Sequence, residues 1–401
     1  MKNGVFIVEV VRSPVGKYAG TLSSIRPDDL AAHVIKGLVA KVPQFNTSEI
    51  EDVILGAANQ SGEDNRNVAR MASLIAGLPL HLGGVTINRL CGSGLDAIGT
   101  AFRNIKAGEG EAFIAGGTES MTRAPFVMAK ADSAFGRSPE IYDTTMGWRF
   151  TNKTLSKIHH PYTMGETAEN VAERYRISRE AQDQFALGSQ QKWAAAEAEG
   201  KWADEIIPIA IPQKKGDAVL FNTDEHPRLS NMEALAKLKP AFKEVNGTVT
   251  AGNSSGINDG AAVALVVSEA MVEKYNLQPL ARVVSSAVAG VDPAYMGIGP
   301  VSATEKAIAR AGISLKDLGL IELNEAFAAQ SLACMKDLDL DPSIVNVNGG
   351  SIAIGHPLGA SGARITATLL HEMKRRPSVK YGLATMCIGV GQGIAVVFEK
   401  C

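Results

Sequence analysis

Short apolar, β-branched runs alternate along the chain with longer Ala- and Leu-rich stretches whose apolar positions recur at helical spacing. That alternation predicts an α/β protein. Phe6-Ile7-Val8 reads as a core strand, 27–38 as a helix, Asp52-Val53-Ile54-Leu55-Gly56 as a strand and 67–76 as a helix. Val85-Thr86-Ile87 then predicts a strand, 94–105 a helix, and Ala112-Phe113-Ile114-Ala115-Gly116-Gly117 another buried strand. The last third runs through the same order. Strands are predicted at Ala281-Arg282-Val283-Val284, Leu320-Ile321-Glu322 and Ile344-Val345-Asn346-Val347-Asn348, then at 382–386 and 393–397. Helices are predicted at 301–311, from Glu325 onward and at 361–373.

The two parts also agree in glycine placement. Val85-Thr86-Ile87-Asn88 followed by Gly92-Ser93-Gly94 parallels Val345-Asn346-Val347-Asn348 followed by Ala360-Ser361-Gly362. Repetition of both element order and glycine position favours an internal duplication over chance likeness of two α/β units. The intervening region, 121–249, is richer in charge, Trp, Pro and Met. It contains Asp143-Thr144-Thr145-Met146-Gly147-Trp148-Arg149-Phe150, a helix over 179–199 and the basic loop Gln213-Lys214-Lys215-Gly216-Asp217. It reads as an insertion covering one end of the sheets, with loops well placed to bind substrate. The expected division is 1–120 with 250–275 as one half, 121–249 as the inserted loop domain, and 276–401 as the other half.

Composition narrows the class. The 401 residues suffice for two or three domains and a large core. With 45% hydrophobic and 20% charged residues and a net charge of −2, a disordered chain is excluded, and nothing points to nucleic acid. Runs such as Ala261-Ala262-Val263-Ala264-Leu265-Val266-Val267 are too short to span a bilayer. The N-terminus enters a core strand and has no leader pattern, and four cysteines without paired spacing make no disulfide framework, so a cytoplasmic location is expected.

Candidate chemistry sits where each buried strand gives way to a glycine-rich loop. Cys91 precedes Gly92-Ser93-Gly94 at a predicted helix start, where amides and the helix dipole lower a thiol's pKa from about 8.5 and the Cys91 amide can donate to an oxyanion. Polar, glycine-rich flanks favour this over a buried structural cysteine. His356 is confined between Gly355 and Pro357, a setting that the other six histidines lack. The run 355–362 lacks both the Gly-Lys-Ser/Thr ending of a P-loop and the dinucleotide glycine pattern. Cys387, at a strand end before Gly389-Val390-Gly391, suits either an acid–base thiol with a pKa near neutrality or a core cysteine. Asn324 suits either a helix N-cap or a side chain holding a water. No Cys-x-x-Cys spacing joins these residues, so no metal is expected. Cys334, among Ala and Leu, reads as core, and Cys401 as exposed.

At 88–94, 324–327, 355–362 and 387–393 the chain resembles the thiolase family, as it does at 115–121 and 250–260. The resemblance covers essentially the full length. It implies duplicated five-layered α-β-α-β-α halves with an inserted loop domain, usually assembled as homotetramers or homodimers. It implies reversible cleavage of a 3-oxoacyl-CoA by CoA to acetyl-CoA and a shortened acyl-CoA, with coenzyme A as substrate and no further cofactor. By the same resemblance, Cys91 carries the acyl group, His356 activates it, Cys387 moves the enolate proton, and Asn324 holds a water at the enolate oxygen. The Cys91 and Gly389 amides then form a second oxyanion hole. Arg228, Phe242 and Ser255 are implied at CoA, and Met164, Met296 and Phe327 along the pantetheine and acyl channel, although the apolar ones also suit plain core.

Residues 64–70, 124–128 and 143–150 look like thiolases acting on 3-oxoadipyl-CoA. Tyr162-Thr163-Met164-Gly165 departs from that pattern and from the acetoacetyl-CoA group, where a histidine stands in place of Thr163. A biosynthetic acetoacetyl-CoA-forming thiolase and a non-catalytic thiolase-like lipid or acyl-CoA carrier are the alternatives. A decarboxylating ketoacyl synthase is disfavoured by Asn324-Glu325-Ala326-Phe327 and by Cys387.

Overall fold

The computed structural model describes residues 4–401. Two halves of one sheet carry the core, and each orders its strands alike. In the first, Val85–Ile87 and Ala112–Ser120 flank Asp52–Gly56 in parallel, and Asn258–Ser268 and Val5–Arg12 continue antiparallel. In the second, Leu318–Leu323 lies parallel to Tyr381–Ile388, and Gln392–Lys400 and Ala281–Gly290 continue antiparallel. The halves meet where Phe6 and Ile7 pair with Arg282 and Ala281.

The predicted strand at 344–348 is not formed. Only Val345 bridges to Ile321, in the place that Val85–Ile87 holds in the first half. Asn346 turns the chain into the left-handed region, and its side chain takes over from the ladder. Its Oδ1 accepts from Leu323 N and its Nδ2 donates to Leu323 O, both at 2.8 Å. One amide side chain therefore satisfies the groups that a further strand residue would have paired.

Helices Ser93–Ala107 and Leu358–Arg375 lie between the two sheet halves and form the middle layer, packed in one apolar cluster with strands of both. Pro27–Lys41 and Val68–Ala76 cover the outer face of the first half, and Gly299–Ala311 that of the second. The layers thus run helix, sheet, helix, sheet, helix through the molecule. The two central helices cross at the glycines of the repeated motif. A Cβ at Gly94 would lie 2.7 Å from Gly359 O, and one at Gly362 only 2.1 Å from Leu95 N. Backbone approach this close needs glycine. It brings the first turns of both helices, and the loops ahead of them, to one place.

The region between the halves contributes helices Met164–Tyr175 and Arg179–Ala198 and two short hairpins, one of which carries the Gln213–Asp217 segment in its turn. A buried ion cluster ties it to the first strand. Arg12 donates to Glu205 Oε1 at 2.6 Å and to both oxygens of Asp224 at 2.6 and 2.9 Å, with its guanidinium over the Trp202 ring. No helix of the described residues is long and apolar enough to cross a membrane.

Candidate active site

The loop bearing Cys91 is held by its own side chains. Asn88 Oδ1 accepts from Leu90 N at 2.8 Å, while Ser93 Oγ accepts from Arg89 N and donates to Leu90 O. Leu90 is thereby kept at φ +47°, a sparsely populated conformation for a bulky side chain. Helix Ser93–Ala107 takes Gly92 as its N-cap, so Cys91 stands one residue before the cap. The sulfur accepts from the amides of Gly389 and of Cys91 itself. Even so, burial pushes the thiol up to about 11, with the charge of Glu119 adding to the rise. The expectation of a lowered pKa fails for the ligand-free chain, because two amides offset only part of the cost of placing a charge away from water.

Gly389 opens the turn between strands Tyr381–Ile388 and Gln392–Lys400, where Val390 and Gly391 both have positive φ. Cys387 is the next-to-last residue of the first of these strands and is buried. Burial, then the neighbouring Cys91, raises its thiol well above the ordinary value, so it is not poised near neutrality as expected. It rests as a protonated thiol, ready to donate.

His356 lies between helices Ser351–Ile354 and Leu358–Arg375, with its backbone N–H on Asn258 Oδ1 at 2.9 Å. Burial, then the charge of Arg364, lowers the imidazole to about 3, so it rests neutral. The hydrogen-bond pattern assigns its tautomer. Ser361 Oγ donates to Pro357 O at 3.0 Å, so at 2.6 Å it accepts from His356 Nδ1–H. Nε2 then carries the lone pair, and Asn324 Nδ2 approaches it at 3.4 Å. Asn324 is oriented in turn by Ser351 Oγ, which donates to its Oδ1 at 2.5 Å and accepts from Arg364. Asn324 is not a helix cap: the following helix, Ala328–Asp337, is capped at Phe327, and Asn324 N bonds Thr385 O. Its neighbour Glu325 is buried and accepts from Ser189, Asn346 and Ile352 N, tying the inserted region to the second half.

Cys91, His356, Cys387 and Gly389 all face one cavity of about 1080 Å³ that opens to solvent through the inserted region. Sequence profiles of the thiolase N-terminal domain and the thiolase C-terminal domain match residues 5–270 and 277–400. The chain belongs to the thiolase family. Its acyltransferase chemistry follows from that membership.

Among thiolases, it is 54% identical over 398 residues to a beta-ketoadipyl-CoA thiolase of Acinetobacter baylyi, covering 98% of this chain and 99% of the relative. It is 55% identical over the same shares to a 3-oxoadipyl-CoA/3-oxo-5,6-dehydrosuberyl-CoA thiolase of Escherichia coli. Human mitochondrial 3-ketoacyl-CoA thiolase superposes with a TM-score of 0.93 at 44% identity, over 100% of this chain and 99% of that one.

The remaining candidates of this thiolase also line the cavity. Met164, Met296 and Phe327 pack with Cys387 in one small apolar cluster, so they are core and channel wall at once. Phe242 sets its ring against Gly165 and edge-on to Phe327 at 6.4 Å. Ser255 is bound through N and Oγ to Ala326 O, and Arg228 is exposed with Nη2 on Ala251 O at 3.0 Å. Thr163, the departure from both sequence patterns, caps helix Met164–Tyr175 in a reciprocal box with Glu166, so its replacement of histidine has a local structural use.

Several groups that line the cavity or lie behind it carry no signal in the sequence. Glu119, pushed by burial to about 7, accepts from the amides of Ala58, Asn59 and Gly359 and so braces the loop after His356. His226 is buried against Gly256 with Nε2 unpartnered and is lowered by burial to about 4. Ser351, Ser361 and Arg364 had no signal beyond lying near His356, because their work is visible only once the loops converge. Glu119 does lie within the family-like stretch 115–121, but a strand-end glutamate carries no chemistry on its face.

Proposed function

We propose that this thiolase cleaves 3-oxoadipyl-CoA with CoA to acetyl-CoA and succinyl-CoA, reversibly. The names of the relatives at 54–55% identity support this acyl chain, as does the resemblance of 143–150. The observation that carries the chemistry is the pairing of two neutral thiols, Cys91 and Cys387, with one neutral imidazole whose Nε2 lone pair, approached by Asn324 Nδ2 at 3.4 Å, can accept a proton.

In this reading His356 Nε2 takes the Cys91 proton as the sulfur attacks the 3-keto carbon. The amides of Cys91 and Gly389 receive the oxyanion, which they stabilise more strongly than the neutral ketone. The C2–C3 bond breaks, and the electron pair passes to an enolate whose oxygen meets His356 and a water held by Asn324. Cys387 protonates the enolate carbon, releasing acetyl-CoA and leaving succinyl-Cys91. Incoming CoA gives its thiol proton to the Cys387 thiolate and attacks the thioester. Cys91 leaves as thiolate and recovers its proton from His356. Two thiols are needed because one is bonded to carbon while the other moves a proton.

Arg228 is read as meeting the phosphate-bearing end of CoA, with Phe242, Ser255, Met164, Met296 and Phe327 along its neutral arm. CoA enters as substrate, and no resident cofactor is expected. A cytoplasmic homotetramer or homodimer is the expected assembly. Leu74, Ile75, Leu80 and Val85, exposed along the edge of the first sheet half, support it. Thiolysis by the purified enzyme of acetoacetyl-, medium-chain 3-oxoacyl- and 3-oxoadipyl-CoA tests the substrate. The highest kcat/KM is expected for 3-oxoadipyl-CoA, and a higher value for acetoacetyl-CoA would favour the biosynthetic alternative.

A further inference from the structure

The cavity wall carries three permanent cations, Lys17, Arg149 and Arg228. Lys17 is exposed and faces Glu225 at 3.6 Å. Arg228 is exposed and rests on Ala251 O. Arg149 differs from both. It is partly buried, and among the described residues it has no hydrogen-bond, ion-pair or ring partner.

The residues on either side of Arg149 are nevertheless anchored by their side chains. Trp148 Nε1 donates to Tyr162 O at 2.9 Å, two residues from Met164, whose thioether lies beside Gly389. The Phe150 ring packs edge-on to Tyr142 at 5.0 Å. Further back, Thr144 is bonded through its O and Oγ1 to Asn59 Nδ2. A segment anchored on both sides thus presents an unpaired guanidinium to the chamber containing the Cys91 sulfur. A partly desolvated cation without a counter-charge is costly to keep, and a carboxylate in the ligand would offset that cost.

We propose that Arg149 is a specificity-determining residue that receives the terminal carboxylate of the acyl chain. The inference rests on the diacid substrate reading and assigns it a receptor. Guanidinium and carboxylate match as a bidentate, planar pair, which fixes the short diacid tail while the 3-keto carbon meets Cys91. A methyl-ended chain of equal length leaves the guanidinium unpaired and is disfavoured.

The test compares 3-oxoadipyl-CoA with 3-oxohexanoyl-CoA, which carries a methyl group where the diacid has its carboxylate. Arg149→Met should lower kcat/KM for 3-oxoadipyl-CoA roughly 10- to 100-fold, mainly through KM. It should leave 3-oxohexanoyl-CoA equal or improved, and Arg149→Lys should restore part of the diacid activity. Activity retained on 3-oxohexanoyl-CoA certifies that the variants are folded. Equal losses on both substrates would mean that Arg149 serves the fold or the shared CoA portion, and unchanged diacid kinetics would remove it from recognition. Either result overturns the role while leaving the substrate reading intact. A wild-type enzyme that prefers 3-oxohexanoyl-CoA would instead overturn the substrate reading, and this role with it.

Discussion

His356 owes its state to side chains that the converging loops gather around it. Its neutral form follows from burial and from Arg364, its tautomer from Ser361, and its contact with Asn324 from Ser351. The proposed base is therefore one end of a directed chain of donors, Arg364 to Ser351 to Asn324, and its other nitrogen is pinned by a single hydroxyl. Ser361→Ala removes the acceptor of Nδ1–H and leaves a buried donor unsatisfied, a loss of about 1–3 kcal/mol. The effect should fall on kcat, roughly 10- to 100-fold, with KM nearly unchanged, because the ring loses the tautomer needed in the transition state. Steady-state kinetics that showed a rise in KM alone would assign Ser361 to substrate binding instead.

At the scale of elements, the site depends on two helices that cross at glycine. The Cys91 loop enters Ser93–Ala107 and the His356 loop enters Leu358–Arg375, so the spacing of these helices sets the spacing of nucleophile and base. A methyl group at Gly362 would meet the backbone of Leu95, which cannot rotate away. Gly362→Ala is expected to cost about 1–3 kcal/mol or more in urea unfolding and to lower activity as well. Gly188 offers the opposite case. It lies within helix Arg179–Ala198 with nothing within 4 Å of its Cβ position, so Gly188→Ala should stabilise by about 0.5–1 kcal/mol. If both substitutions destabilised alike, the helix crossing would not be what requires glycine.

For the whole molecule, buried charge joins the parts and also sets the response to pH. Arg12 compensates Glu205 and Asp224 at the seam between the first strand and the inserted region. Arg12→Met strands two buried carboxylates and should cost about 3–5 kcal/mol, read as a lower urea midpoint. Two buried histidines, lowered to about 4 at His226 and about 3 at His356, contribute stability that is present above pH 6.5 and lost as pH falls toward those values. Glu119 and Glu322, raised by burial to about 7 and about 8, act in the other sense. Their contribution is present below pH 4.5 and lost as pH rises through 7 and 8. The two pairs oppose each other between pH 5 and 7, so the wild-type profile should be shallow. His226→Asn removes one term, and its stability relative to wild type should improve by about 2 kcal/mol on going from pH 7 to pH 5. Parallel profiles for the two proteins would mean that His226 is not held neutral by the fold.

Apolar periodicity along the chain was enough to read the α/β class, the repeated order of strands and helices, and the loops bearing Cys91, Asn324, His356 and Cys387, because burial of strands and helix faces is written into local spacing. The strand predicted at 344–348 failed because a side chain, that of Asn346, took over hydrogen bonds that pattern reading assigns to the backbone. The raised thiol pKa values of Cys91 and Cys387 were equally out of reach, since desolvation depends on everything that surrounds a group and not on the residues flanking it. Glu119, His226, Arg149 and the Ser–Arg relay behind His356 became visible only with the tertiary structure. Each is defined by which side chains meet once the chain is packed, or by a missing partner, and both are properties of the packed chain alone.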